Sequence, residues 1–271
     1  MRGDEMSIRE DVKEQQEKMK DKDFKSKWEY FWYYYKFHVL VAAFAIFSII
    51  SAVKNIIMTN PVYVSAVLIN ATPTSLEETL PDDFIAFAGI DPTKNDCIID
   101  TNAVIDMNNI DEMTVATSQK VMANISAAEL DVLSADHTNF FQYAGQNIFL
   151  DLSTVYSAEE LQNMGDNVLY VDQGYMEYIA SDEYQEYLNS GTYDENNKYA
   201  VMRADADKTG TYTNLSKEEM KNPVPVGIII NNSKAYTEAG LYPGKSSVIG
   251  IISNSKRTDA AKQFIDFIKT E

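Results

Sequence analysis

Asp205-Ala-Asp207-Lys-Thr209-Gly210 comes nearest to a known chemistry by spacing, placing oxygen ligands at the first, third and fifth positions of a calcium loop and glycine at the sixth. The twelfth position should bring a bidentate glutamate. It is Ser216, and Glu218 and Glu219 arrive too late, so the run reads as an acidic turn. Gly244-Lys245-Ser246 matches the end of a phosphate loop, but the required earlier glycine is Ala239, and an apolar strand follows where a helix should open. Of the two histidines, His38 lies in an apolar run and His137 has no histidine or cysteine near it. Neither a zinc set nor a Ser-His-Asp or Cys-His arrangement can be built from them. Paired carboxylates such as Asp82/Asp83 and Glu159/Glu160 are expected of so acidic a chain, and sequence does not give the separation that acid–base work requires. The expectation is a non-catalytic protein without cofactor or metal.

Binding is the remaining chemistry. Ligands of open α/β sheets sit beyond the carboxyl ends of strands. The polar residues just past apolar runs are therefore the candidates: Asn70 and Thr72, Asp136 and Asn139, and Asn231. Tyr175 is the aromatic candidate, drawn from a tyrosine-rich stretch between Tyr170 and Tyr199. Each has an ordinary role as well, as helix cap, turn or half-buried packing.

The elements that must position these residues alternate. Val62–Ile69 is a β-branched apolar run, and Ser75-Leu-Glu-Glu78 is a capping-box pattern opening a helix through about Phe87. Cys97–Ile105 reads as a second strand, followed by a helix over Asp111–Ala128, a short strand at Leu130–Leu133 and a helix over His137–Gly145. Then come a capped helix (Ser157–Met164), a strand (Val168–Val171), an aromatic helix (Tyr175–Leu188), a short strand at Val201-Met202 and a short helix over Ser216–Lys221. Strands at Pro225–Ile230 and Val248–Ile252 precede a last helix with Ala261, Phe264, Ile265 and Ile268 on one face. Strands alternating with helices predict an open, largely parallel sheet with covering helices.

Ahead of this domain, Phe37–Val53 carries no formal charge, and Phe31–Tyr35 and Ile56–Met58 extend it. About 20 apolar residues cross the roughly 30 Å of hydrocarbon in a bilayer. The run is apolar all round, unlike a core helix, and the long charged tail before it is unlike a signal peptide. The chain thus divides into a charged helical tail (1–30), a membrane helix (31–58) and an outer domain (59–271). Lys20, Lys22, Lys25, Lys27 and Lys36 crowd the N-terminal side, whereas Lys54 stands alone before Lys94. The tail therefore faces the cytoplasm and the outer domain lies outside the cell membrane.

Formal net charge is −18, and residues 55–271 alone hold 13 basic and 32 acidic residues. Such a surface disfavours nucleic acid. Cys97 is the only cysteine, which excludes an intrachain disulfide and fits a bacterial extracytoplasmic protein or a cytosolic one, and the membrane segment favours the first.

Ala123-Asn-Ile-Ser-Ala-Ala-Glu-Leu-Asp-Val-Leu-Ser-Ala-Asp136, with Phe140, Ala144 and Phe149-Leu-Asp-Leu152, resembles the extracellular solute-binding proteins of ABC importers. So does the tail from Ile251 to Ile268, with its closing strand and Ala260-Ala-Lys-Gln-Phe-Ile-Asp-Phe267 helix. The resemblance implies a periplasmic-binding-protein-like fold, two α/β lobes closing on a small molecule in transport. The alternative is an interaction, sensory or assembly protein with the same fold, no small ligand and a membrane-protein partner.

Overall fold

The computed structural model describes residues 23–58, 60–71, 79–106, 109–210 and 212–270. Most of the tail, Thr72 and the Ser75–Glu78 capping pattern lie outside them. The chain divides into two compact units, Met1–Thr59 and Asn60–Glu271.

In the first unit, α1 (Phe24–Met58) is helical throughout. It begins before the predicted span and bends by 69° between Lys27–Tyr33 and Tyr35–Ser51. Among the described residues no single helix is long and apolar enough to cross a membrane, but the two halves of this bent pair together have the length and composition of a span. Its aromatic start is ordered by side-chain stacking, Trp28 on Trp32 and Phe31 on Tyr35. Ser48 Oγ donates to Phe44 O at 2.9 Å, which satisfies a hydroxyl inside the apolar run.

The second unit is α/β. Its elements are β1 (Val62–Leu68), α2 (Leu80–Ala88), β2 (Asp96–Asp100), α3 (Glu112–Ser126), β3 (Val132–Ala135), α4 (His137–Gly145), α5 (Ala158–Met164) and β4 (Val168–Asp172). These are followed by α6 (Gln173–Ile179), α7 (Asp182–Ser190), α8 (Lys198–Thr209), β5 (Pro223–Ile230), α9 (Lys234–Glu238), β6 (Ser247–Ile251) and α10 (Thr258–Ile268). The strands form one sheet in the order β2-β1-β3-β6-β5-β4. Only β1 pairs in parallel, with β2 and β3; the β3–β6, β6–β5 and β5–β4 pairs are antiparallel. The expected largely parallel sheet is thus mixed. Asn60–Glu271 forms one compact unit, in which a single sheet joins the first strands to the last.

Alternation along the strands separates two cores. Val64, Ala66 and Leu68 point to the face covered by Phe84 of α2 and Phe264 and Ile268 of α10. Val67 and Ile69 point to the other, covered by Val121 and Ile125 of α3 and Phe140, Phe141 and Tyr175. Two glycines let α4 settle onto the sheet. A methyl group on Gly250 would meet Val226 O at 2.7 Å and the Phe140 ring at 2.9 Å, and one on Gly227 would meet that ring at 2.7 Å.

Four local expectations need correction. The strand expected over Cys97–Ile105 is β2 and stops at Asp100, whose Oδ1 accepts from Asn102 N at 3.0 Å. Val201-Met202 is helical within α8, since the Asn197 side chain caps Tyr199 N and starts a helix there. The aromatic helix is two, α6 and α7, because Ser181 restarts the chain by capping Tyr184 N. The calcium-like run is the last turn of α8, with Gly210 as its left-handed cap at φ +68°. Residues two apart on a helix point to different sides. Asp207 accordingly pairs with Arg203 at 2.8 Å while Asp205 faces Lys208 at 3.8 Å.

Candidate functional site

The carboxyl ends of β1, β2, β3 and β5 share one edge of the sheet, as their pairings require. Leaving β1, the chain turns at Asn70, which takes a left-handed φ of +57°. That turn lets the side-chain amide behave like one more strand residue. Asn70 Oδ1 accepts from Ile105 N at 2.9 Å, and Nδ2 donates to Ile105 O at 2.8 Å and to Asp136 Oδ2 at 2.9 Å.

Asp136 follows β3 and caps α4. Its Oδ1 accepts from Asn139 N at 3.0 Å, and its Oδ2 accepts from Asn139 Nδ2 at 2.8 Å. The structure therefore brings Asn70, Asp136 and Asn139 together, beside a recess of about 360 Å³ completed by Thr138, Tyr242 and Lys245. Tyr242 is held by its hydroxyl, which donates to Ile69 O at 2.8 Å. Burial and the neighbouring Tyr236 push that phenol well above its ordinary range. His137 stacks on Phe141, and burial pulls its imidazole down against the opposing pull of Asp136.

Chemically, the cluster is directed inward. Both carboxylate oxygens of Asp136 already accept hydrogen bonds from the protein, and both N–H donors and the oxygen of the Asn70 amide are engaged. What it accomplishes is to clamp the connection after β2 to the ends of β1 and β3. Lys245 is exposed and carries no ion pair among the described residues.

Two predicted residues lie apart from this cluster. Asn231 is on the same edge but beyond β6, donating to Asn167 Oδ1 at 3.1 Å. Tyr175 is 2% exposed, in the core against Phe141. Burial, partly opposed by Arg203, raises its phenol to about 12. It borders a separate recess of about 360 Å³ with Arg203, whose guanidinium is paired with Asp207 and lies over the Tyr184 and Tyr212 rings.

Sequence reading missed Ile105 and Tyr242, while Thr138 lies within the Asp136–Asn139 loop it had singled out. Ile105 enters through its backbone alone, which leaves no trace in residue type. Lys245 was visible only as the end of a mismatched phosphate loop; here it follows a turn in which its N–H donates to Tyr242 O. A larger recess of about 750 Å³, between α5, β4 and Asn214–Met220, gathers none of the predicted residues. Cys97 is half-buried, and burial with Asp96 beside it raises its thiol to about 11, leaving it protonated and inert at neutral pH. Among the described residues no group of three or more His, Cys, Asp or Glu side chains is placed to hold a metal. Comparisons with protein-family models, curated proteins and solved structures return no match.

Proposed function

We propose that the chain is a single-pass membrane protein whose outer unit, Asn60–Glu271, is a non-catalytic interaction domain serving sensing or assembly. The observation that carries this reading is the inward use of Asn70, Asp136 and Asn139. A ligand cradle needs polar groups held open towards its cavity, and these groups already complete one another. One sheet with a core on each face, in a single compact unit, favours the same reading.

Membrane attachment rests on α1. Apart from the part-exposed Val39, its large apolar side chains from Phe37 to Val53 stand exposed, as in a helix surrounded by lipid. Lysines concentrated before it support an extracytoplasmic outer unit.

A solute-binding-like receptor is the second reading, favoured by the recess between Asn139 and Lys245. A thermal-shift screen of Asn60–Glu271 against sugars, amino acids, small anions and metals separates the two. Interaction without a small ligand predicts no rise in Tm. A rise that Asp136→Ala or Lys245→Ala abolishes would install the receptor reading in its place.

A further inference from the structure

Resting on the interaction reading, the geometry points to a specific docking surface: we propose that the open edge of β2 accepts an extended, lysine- or arginine-flanked apolar segment of a partner protein as an added strand. β2 ends the sheet, with β1 on one side and no strand beyond it among the described residues. Of the seven large apolar side chains that stand exposed in the described part of Asn60–Glu271, six fall in the stretch of chain from Phe87 to Val115, with Ile98 on β2 itself and Val104 in the connection that follows it.

The edge is also built to select its partner. On β2 Ile98 is more exposed than Cys97 and Ile99, and in the connection after it Asn102, Val104 and Asp106 are exposed between buried neighbours, so the apolar Ile98 and Val104 stand in the chain among the acids Asp100 and Asp106. Leu80–Ser126 holds eight acidic residues and two basic ones. Both basic residues are already engaged, Lys94 with Asp91 at 3.0 Å and Lys120 with Asp100 at 2.8 Å. A strand carrying apolar residues opposite Ile98 and Val104 and cations near Asp106, Asp111 and Glu112 would gain both backbone pairing and charge complementarity.

The same charges disfavour a second copy of this chain. An antiparallel pair centred on Ile98 would set Asp96 opposite Asp100 of the other copy twice over, and like charges directly opposite are destabilising. Edge acids of this kind block self-pairing while leaving a basic strand welcome.

The test uses the full chain in nanodiscs and three synthetic peptides: an alternating valine/threonine strand flanked by lysines, the same strand flanked by glutamates, and the lysine form broken by a central proline. Hydrogen exchange and fluorescence titration should show the lysine peptide binding, with new protection at Cys97–Asp100 and weakening as salt rises. The glutamate and proline forms should not bind. Ile98 is half-exposed, so Ile98→Lys should leave Tm unchanged and weaken binding by about tenfold; a Val104→Ser/Met113→Ser double variant provides an independent check. No binding of the lysine peptide, binding indifferent to Ile98→Lys, or protection mapping elsewhere would each overturn the edge assignment. So would a concentration-dependent dimer that Ile98→Lys abolishes, which would identify the occupant as a second copy. The interaction reading itself fails separately, on a small-molecule Tm shift.

Discussion

Arg257 Nε lies 2.7 Å from Asp131 Oδ2, and Asp131 has no exposed surface at all. The same carboxylate accepts from Ser65 N of β1 at 2.8 Å and from Ser255 Oγ at 2.6 Å, while Arg257 Nη2 donates to Glu129 O at 3.2 Å. One buried anion thus ties β1, the start of β3 and the loop leading into α10. Arg257→Ala would strand that charge in the core and should cost about 3–5 kcal/mol in urea unfolding. Arg257→Lys should recover only part of the loss, because an ammonium cannot reproduce the two directed contacts. Equal stability of all three proteins would remove this clamp from the account.

Asp172 makes stability depend on pH. It is buried at the end of β4, where desolvation raises its pKa. Hydrogen bonds from Lys221 N, the Tyr199 hydroxyl, Asn222 N and Gly174 N outweigh that effect and bring it down to about 2. A carboxyl depressed on folding contributes stability above its unfolded pKa and loses it as pH falls through the folded value. Wild type should therefore shed roughly 2 kcal/mol between about pH 4 and pH 2 on this account. Asp172→Asn should be less stable at neutral pH and show a flatter acid limb; an unchanged limb would rule Asp172 out as its source.

The turn at Asn70 combines a left-handed backbone with three side-chain hydrogen bonds. Asn70→Ala should lose the bonds and strain the backbone, costing about 2–4 kcal/mol. Asn70→Gly also loses the bonds but accepts the φ, so it should be milder by about 1 kcal/mol. Chemical denaturation of the two variants orders them; the reverse order would mean that backbone strain contributes nothing here.

Gly250 should tolerate no side chain. An alanine there meets Val226 O, a backbone atom that cannot swing away, as well as two phenylalanine rings. Gly250→Ala should destabilise by about 1–3 kcal/mol, the usual cost of overpacking. Gly89 has open space but φ +66°, so Gly89→Ala should cost about 1 kcal/mol through backbone strain alone. Thermal melts of both distinguish collision from conformation.

Orientation is testable by thiol labelling in intact cells, in a Cys97→Ser background. Ser7→Cys should resist an impermeant maleimide and Ser190→Cys should react, because lysines crowd the N-terminal flank of the apolar run. The opposite pattern would invert the topology.

Much of the outline was legible in the residues because it is local. Helix α4 begins where Asp136 can cap it, and α5 where Ser157 and Glu160 form a capping box. The β-branched runs at Val62–Leu68 and Pro223–Ile230 are strands in the structure. Capping and apolar periodicity act within a few residues, so sequence carries them whole. The α6–α7 break was harder to read because aromatic spacing runs through it and only Ser181 marks the restart.

The candidate cluster was legible in part. Asn70, Asp136 and Asn139 follow strands, and polar residues in such places collect at one sheet edge wherever the strands share a direction. Tyr175 was chosen for its ring alone, and a ring's chemistry does not reveal whether it faces a cavity or the core. Asn231 follows a strand of the same direction, yet β6 intervenes between β3 and β5.

By itself, then, the sequence determined the α/β class, the strongly acidic outer unit, the apolar helix before it and the residues at the strand ends, since composition, hydropathy and capping are properties of neighbouring positions. Tertiary structure alone decided that the strands form one mixed sheet, that Asn70, Asp136 and Asn139 turn towards one another, and that β2 is the outermost strand among the described residues. Those outcomes depend on which distant segments pair. Pairing is set by how apolar surface from the whole chain is buried at once, with β6 arriving more than a hundred residues after β3 to lie against it.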